Sequence, residues 1–357
     1  MFMSQINFAK EIIEELNEQI NFFKNYKIKD LTIGKTWETR AQKISSSINS
    51  NPEILIEFKK SNIFNSDVPA GNMNLIKKFI YNFFLYLPHQ IRYHPYINML
   101  EDGYDLLKKK NLLNLAIENP ITKTGNPLIF KKKGLKYTFR WLRHVLLLDL
   151  FNKHLQSKND LNLIADIGTG FGTFPYIIKK NHPKKKFILI DLPEQLSAAH
   201  FYLKSEFPDL KFATFKDLKN LKLIDRNFIE KFDFVLVPCF FIDKISKDAT
   251  DLITNFASFN EMPRFWFKKY MNSAIFNGAK YFFTMNRIIR PQMDKNKDLD
   301  ISILDLPLDN YEKIYFNIYE LYKWRYESVK FLNIPLYGEK VWFDPHYEYI
   351  GSRKDLN

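Results

Sequence analysis

Asp166-Ile167-Gly168-Thr169-Gly170-Phe171-Gly172, entered from the apolar run Leu161 to Ala165, constrains this chain more than any other segment. A buried strand that ends in a carboxylate and empties into glycines lets backbone approach a ligand closely, and the spacing predicts a helix from about Thr173. A second apolar run, Lys186 to Ile190, ends in a second carboxylate, Asp191. Strand, glycine turn, helix, strand and acid in that order suit an adenosine-containing ligand, whose ribose diol can donate to Asp191 while the loop passes beneath it.

Two cofactors fit that description. A nicotinamide dinucleotide favours Gly-x-Gly-x-x-Gly with its pyrophosphate at the helix N-terminus, whereas this loop is Gly-x-Gly-x-Gly with an acid just before it. S-adenosylmethionine has no phosphate and carries a sulfonium and an ammonium, so acids there are useful. The segment resembles the first motif of class I S-adenosylmethionine-dependent methyltransferases, which makes Asp166, Gly168, Thr169, Gly170, Gly172, Asp191 and Leu192 the expected cofactor residues.

With 357 residues, 46% of them hydrophobic and 16% aromatic, the chain has material for a large core and does not read as disordered. No apolar run approaches the roughly 18 residues needed to cross a bilayer, so no membrane insertion is expected. With one cysteine, Cys239, and no export signal after Met1, the cytoplasm is the expected compartment. The net charge of +13 invites a nucleic-acid reading, but the lysines are scattered and no RNA-binding or zinc-knuckle signature accompanies them. No nucleic-acid partner is expected, and no His and carboxylate cluster at ligand spacing calls for a metal.

Residues 1–130 read as a helical region, a substrate cap packed over the mouth of the sheet or a dimerisation element, and residues 131–357 as the catalytic-type domain, divided by the segment holding Pro120, Gly125, Pro127 and Gly134. Ser4 is the expected cap of a first helix with Phe8, Ile12, Leu16, Ile20 and Phe23 on one face, a stripe for core packing or a homodimer contact. Lys43 to Asn51 and Asn65 to Asn72 read as connections, and a helical pattern resumes over Met73 to Leu87. Phe139 to His154 reads as a helix. Strands are predicted at Asn162 to Ile167, Lys186 to Asp191, Phe234 to Phe240, Asp251 to Phe256 and Lys280 to Asn286, and more weakly at Leu321 to Val329 and Tyr347 to Ser352. Their alternation with helices predicts a doubly wound, mainly parallel, Rossmann-like α/β sheet.

Asp251 to Met262 reads as a strand emptying into a polar loop, which open α/β sheets place beside the glycine turn. With Lys280 to Arg287, Gly125-Asn126-Pro127 and Ile190 to Glu194, it resembles the family of sugar O-methyltransferases from bacterial surface-polysaccharide gene sets, over roughly residues 120–290. The resemblance implies a small-molecule or glycan acceptor, places Asn255, Ser258, Glu261 and Met262 in an Asn-x-x-Ser-x-x-Glu-Met segment, and adds Asn286 and Arg287 from the later strand. It also puts Phe240 near the adenine edge, Asn255 with the cofactor, and Ser258, Asn286 and Arg287 with the substrate.

A sugar hydroxyl attacks only as it loses a proton, so a base is expected, with Glu261 first and His144 in reserve. Arg140 and Arg143, one helical turn apart, suit a phosphate or carboxylate on the acceptor, against ordinary surface pairing. Trp324, Trp342, Tyr347 and Tyr349 are candidates for stacking on a pyranose face, against plain core filling. Two other functions compete: a methyltransferase of another small molecule or of RNA, and a cofactor-binding scaffold without catalysis.

Overall fold

The computed structural model describes residues 2–25, 35–60, 64, 95–288, 301–322, 324–331, 334–342 and 345–355. Its strands are β1 (Phe130–Lys132), β2 (Leu135–Tyr137), β3 (Leu163–Ile167), β4 (Lys186–Asp191), β5 (Phe212–Ala213), β6 (Phe234–Pro238), β7 (Leu252–Phe256), β8 (Tyr281–Arg287), β9 (Tyr311–Ile318), β10 (Trp324–Phe331), β11 (Ile334–Trp342) and β12 (His346–Arg353). Eight of them form one sheet in the order β5-β6-β4-β3-β7-β8-β12-β9. All neighbours from β5 to β8 pair in parallel, and β12 runs antiparallel to both β8 and β9.

The central strands are buried along almost their whole length because helices cover both faces. Alternate residues serve different cores: Ile164, Leu189, Leu236, Leu252 and Phe283 on one face, Ala165, Ile188, Val235, Ile253 and Phe282 on the other. The described N-terminal helices have no separate core. Ile12 and Leu16 from the helix Phe2–Asn25, Leu55, Phe58 and Leu100 all join the first of these two cores. Successive crossovers take the chain outward from β3 through β4 to β6, then back to β7 on the other side of β3. That reversal leaves a crevice at the carboxyl ends of β3, β4 and β7, where open sheets of this kind bind ligands.

The helix Phe139–His154, as expected, feeds β3; Thr138 caps it by accepting from the Trp141 amide at 3.2 Å. Several expectations need correction. The first helix already runs at Phe2, so Ser4 lies inside it. Lys43 to Asn51 is no connection: the helix Lys35–Ser50 continues through it, burying Ala41, Ile44 and Ile48, whose helical spacing is obscured by intervening Ser and Lys residues. The strand expected at Leu321 to Val329 is present as β10, but it starts at Trp324 after a short 3-10 turn and pairs with β11 outside the main sheet. β9 was not anticipated, because its burial is irregular and Glu312, Lys313 and Asn317 interrupt its apolar pattern. Asn65 to Asn72 and Met73 to Leu87 lie outside the described residues.

Asp251, at the foot of β7, joins three elements at the edge opposite the crevice. Its Oδ2 accepts from the amides of Asn162 and Leu163 at 2.7 and 2.8 Å, and Arg226 donates to Oδ1 at 2.9 Å. Replacing Asp251 with Ala leaves the buried Leu163 amide and the part-buried Asn162 amide without their side-chain acceptor, while Arg226 keeps Glu230 and the Asp248 carbonyl, and should cost about 1–3 kcal/mol. Chemical denaturation checks this, and a loss below about 1 kcal/mol would show that water takes over those donors.

Candidate active site

The loop after β3 is fastened to the end of β4 by two hydrogen bonds. The Gly168 amide donates to the Ile190 carbonyl at 2.8 Å, and the Gly170 amide to Asp191 Oδ2 at 2.7 Å. Asp191 Oδ1 accepts from the Leu192 amide at 2.7 Å. Gly168 has φ +72°, and a Cβ there would stand 1.9 Å from Ser258 Oγ, so the β3 and β7 loops touch only because this residue lacks a side chain. Gly170 also has positive φ, but nothing lies within 4 Å of a Cβ built on it. Gly172 caps the helix Thr173–Asn181 that follows.

The loop after β7 is held by a buried amide network. Asn255 Nδ2 donates to the Ile167 carbonyl at 2.8 Å, while its Oδ1 accepts from the Phe259 amide at 3.2 Å and from Asn286 Nδ2 at 2.9 Å. Asn260 accepts from the Arg287 amide at 3.0 Å and donates to the Ile301 carbonyl at 2.6 Å. Ala257 sits at φ +55°, an uncommon conformation for a residue with a side chain, at the point where the strand turns into the short 3-10 turn Phe259–Glu261.

These loops enclose a cavity of about 430 Å³, within the usual range for a small-molecule site. Gly168, Thr169, Gly170, Asp191 and Leu192 form one end; Arg143, His144, Ser258, Glu261 and Arg287 also line it. Five expected residues do not. Asp166 lies behind the loop, where Thr254 donates to its Oδ1 at 2.7 Å. Gly172 faces Leu203, and Phe240 stacks on Phe23 with ring centroids 5.1 Å apart. Asn255 and Asn286 spend their side chains on the network just described, so the geometry makes them braces and gives them no direct contact with the cavity.

Burial pushes the Asp191 carboxyl up to about 7; the Gly170 and Leu192 amides oppose this, and the nearby Asp166 and Glu194 add to it. Asp166 is likewise raised, to about 6, by burial. The Glu261 carboxyl is raised by burial too, against the pull of Arg287, Arg40, Arg140 and Arg143. His144 is driven well below its ordinary value by burial and by Arg143. Its Nδ1 lies 2.8 Å from the Arg140 carbonyl. A carbonyl can only accept, so Nδ1 carries the proton and Nε2 is the basic nitrogen.

Sequence reasoning missed several walls. Trp37, Phe64 and Met99 come from residues 1–130 and place that region against the site. Gln195, Trp266, Tyr270 and His346 also line the cavity, as does Cys239. The signal for Trp266 and Tyr270 was present as an i, i+4 aromatic pair on the helix after Pro263, whereas nothing local marks Trp37 or Phe64. Tyr347 and Tyr349 pack on Phe316 instead of lining the cavity, and the side chains of Trp324 and Trp342 lie outside the described residues.

No family model and no curated protein matches the chain. Similar solved structures include the methyltransferase domain of bacterial CtHen1, with 9% identity, 59% of this chain and 97% of that one covered, and a TM-score of 0.34. A Pyrococcus horikoshii protein has 10% identity, coverage of 63% and 93%, and a TM-score of 0.36. The B. subtilis tRNA methyltransferase TrmK has 12% identity, coverage of 54% and 59%, and a TM-score of 0.30. At these values the strand order of the chain itself defines the class. Parallel strands fanning both ways from β3, with the antiparallel β12 inserted between β8 and β9, make a class I methyltransferase-like fold.

Gly168→Ala and Gly170→Ala separate the two demands on the glycine loop. Both substitutions place a side chain at positive φ, at a cost of about 1 kcal/mol, but only the first collides with Ser258. Thermal unfolding should show Gly168→Ala clearly the less stable. Equal losses would mean that Ser258 moves aside freely.

Proposed function

We propose that this chain is an S-adenosylmethionine-dependent O-methyltransferase acting on a sugar hydroxyl. The observation that carries the reading is one cavity lined both by Asp191, braced by two amides, and by Glu261. Each carboxylate oxygen of Asp191 has a lone pair beyond the one its amide occupies, so a ribose diol can donate to both. The space above Gly170 leaves room for the ligand, and the buried Thr173 hydroxyl in the wall has no hydrogen-bond partner of its own. These features fit the cofactor. The aromatic walls Trp37, Trp266 and Tyr270 suit the C–H faces of a pyranose.

When bound, the cofactor supplies an electrophilic methyl group on sulfur. The protein's task is to hold the acceptor oxygen in line with the carbon–sulfur bond and to take its proton. Glu261 would accept the proton of the acceptor hydroxyl, freeing its oxygen for the methyl group that the cofactor would supply. Burial raises the Glu261 carboxyl and so favours proton uptake there, against the opposing pull of the guanidinium groups that act on it. The Phe259–Glu261 turn, fixed through Asn255 and Asn260, sets where that carboxylate stands.

Calorimetry should show that S-adenosylhomocysteine binds and NAD does not, and Asp191→Ala should cost on the order of 1.5–3 kcal/mol of that affinity. The ionised carboxylate is the form that accepts both hydroxyls. Affinity should therefore rise from about pH 6 to about pH 8 as Asp191, held up to about 7, loses its proton. Asp191→Asn should abolish that rise, and a rise that survives in the Asn variant would assign it to another group.

Glu261→Gln should leave cofactor binding intact and lower turnover roughly 10²–10⁴-fold on the acceptor, found by screening labelled cofactor against nucleotide sugars, extracted glycans and total RNA. Wild-type turnover in that variant would transfer the role to His144, and methylation of RNA alone would contradict the sugar assignment.

A further inference from the structure

Phe240, which the resemblance puts near the adenine edge, is stacked on Phe23 and does not line the cavity. The base of the cofactor must therefore meet other side chains, and covalent chemistry says where. The base is carried on the ribose carbon next to the 2′-hydroxyl, so a diol held on Asp191 puts it among the neighbours of that carboxylate.

Three side chains of the cavity wall are such neighbours. Leu192 follows Asp191 directly. Gln195 stands in the first turn of the helix Pro193–Glu206, where its backbone amide donates to the Leu192 carbonyl at 3.0 Å. Cys239 follows β6, whose last residue, Pro238, pairs with Asp191 across the sheet. Burial, with Asp191 and Glu194 acting on it, holds the Cys239 thiol well above its ordinary value, so it stays protonated and uncharged.

Of the three, Gln195 alone carries both a donor and an acceptor for reading a ring edge. Its side chain is 96% buried, and among the described residues its amide makes no hydrogen bond. The adjacent Glu194 is engaged elsewhere, accepting from the Ser45 hydroxyl at 3.1 Å. An unpaired amide shielded from bulk water is costly, so a ligand that supplies both partners gains by pairing it. A glutamine amide presents a carbonyl acceptor beside an N–H donor in one plane. Adenine has the matching edge, a 6-amino donor beside a ring-nitrogen acceptor. Leu192 and Cys239 offer that flat, neutral ring an uncharged setting.

Building on the methyltransferase reading, we propose that Gln195 selects the base of the cofactor: its Oε1 accepts from the 6-amino group of adenine and its Nε2 donates to the neighbouring ring nitrogen, with Leu192 and Cys239 against the ring.

The test is calorimetric titration of the full chain with S-adenosylhomocysteine and with its 6-deamino analogue, in which hydrogen replaces the amino group. The wild-type chain should bind S-adenosylhomocysteine roughly tenfold more tightly, the ratio expected when one hydrogen bond is lost and the Gln195 carbonyl is left unpaired. Gln195→Met, close in size and without an amide, should weaken S-adenosylhomocysteine and bring the two affinities to within about threefold of each other. Equal affinities in the wild type overturn the assignment while leaving the methyltransferase reading in place, and so does a Met variant that keeps the wild-type ratio. If neither ligand binds the wild type, the methyltransferase reading itself fails, and this assignment with it. Should Gln195→Met not fold, a crystal structure of the wild-type complex decides: the 6-amino nitrogen within hydrogen-bond distance of Gln195 Oε1 supports the assignment, and the same nitrogen on another side chain or on water overturns it.

Discussion

Asp191 and the two backbone amides it accepts hold the site together. Through Gly170 and Leu192, this one carboxylate fixes the β3 loop against the β4 loop, and it does so without using up its own capacity to accept from a ligand. Its burial makes the arrangement costly in an empty site, which is why the carboxyl titrates near neutrality. A ligand that donates two hydroxyl groups favours the charged form and relieves that cost. Stability of the loop and recognition of the ligand therefore depend on the same atoms.

A second constraint is the contact between Gly168 and Ser258, which brings the β7 loop, with Glu261 on it, against the β3 loop in the wall of one cavity. The Asn255, Asn286 and Asn260 hydrogen bonds keep it there. Unpaired buried amides are costly, so the hydrogen bonds that this network makes favour one loop conformation, although Asn286 Oδ1 has no partner in it. The polar residues that look catalytic in the sequence thus divide the work. Some reach the cavity, and others hold still those that do.

The central strands were legible because a parallel sheet covered on both faces writes itself as short continuous apolar runs, as in Phe187 to Ile190 and Phe234–Pro238. β9 and the β10–β11 hairpin carry no such mark, since Tyr311–Ile318 mixes Glu, Lys and Asn into its pattern. In the site, the glycine loop and Asp191 were readable from local chemistry alone. Asn255 and Asn286 were not separable from true ligand contacts, because a brace and a ligand group use the same amide. Arg140 and Arg143 read equally as surface residues until the crossover geometry brought their helix against the cavity. Trp37, Phe64 and Met99 depend on packing between distant segments, which no local pattern encodes.

The most direct test of the central claim is a crystal structure of the chain with S-adenosylhomocysteine. The account predicts both ribose hydroxyls on the Asp191 carboxylate, the glycine loop beneath the ligand, and the sulfur facing the part of the cavity where Glu261 stands. A ligand bound elsewhere, or bound here with its sulfur turned away from Glu261, would contradict it.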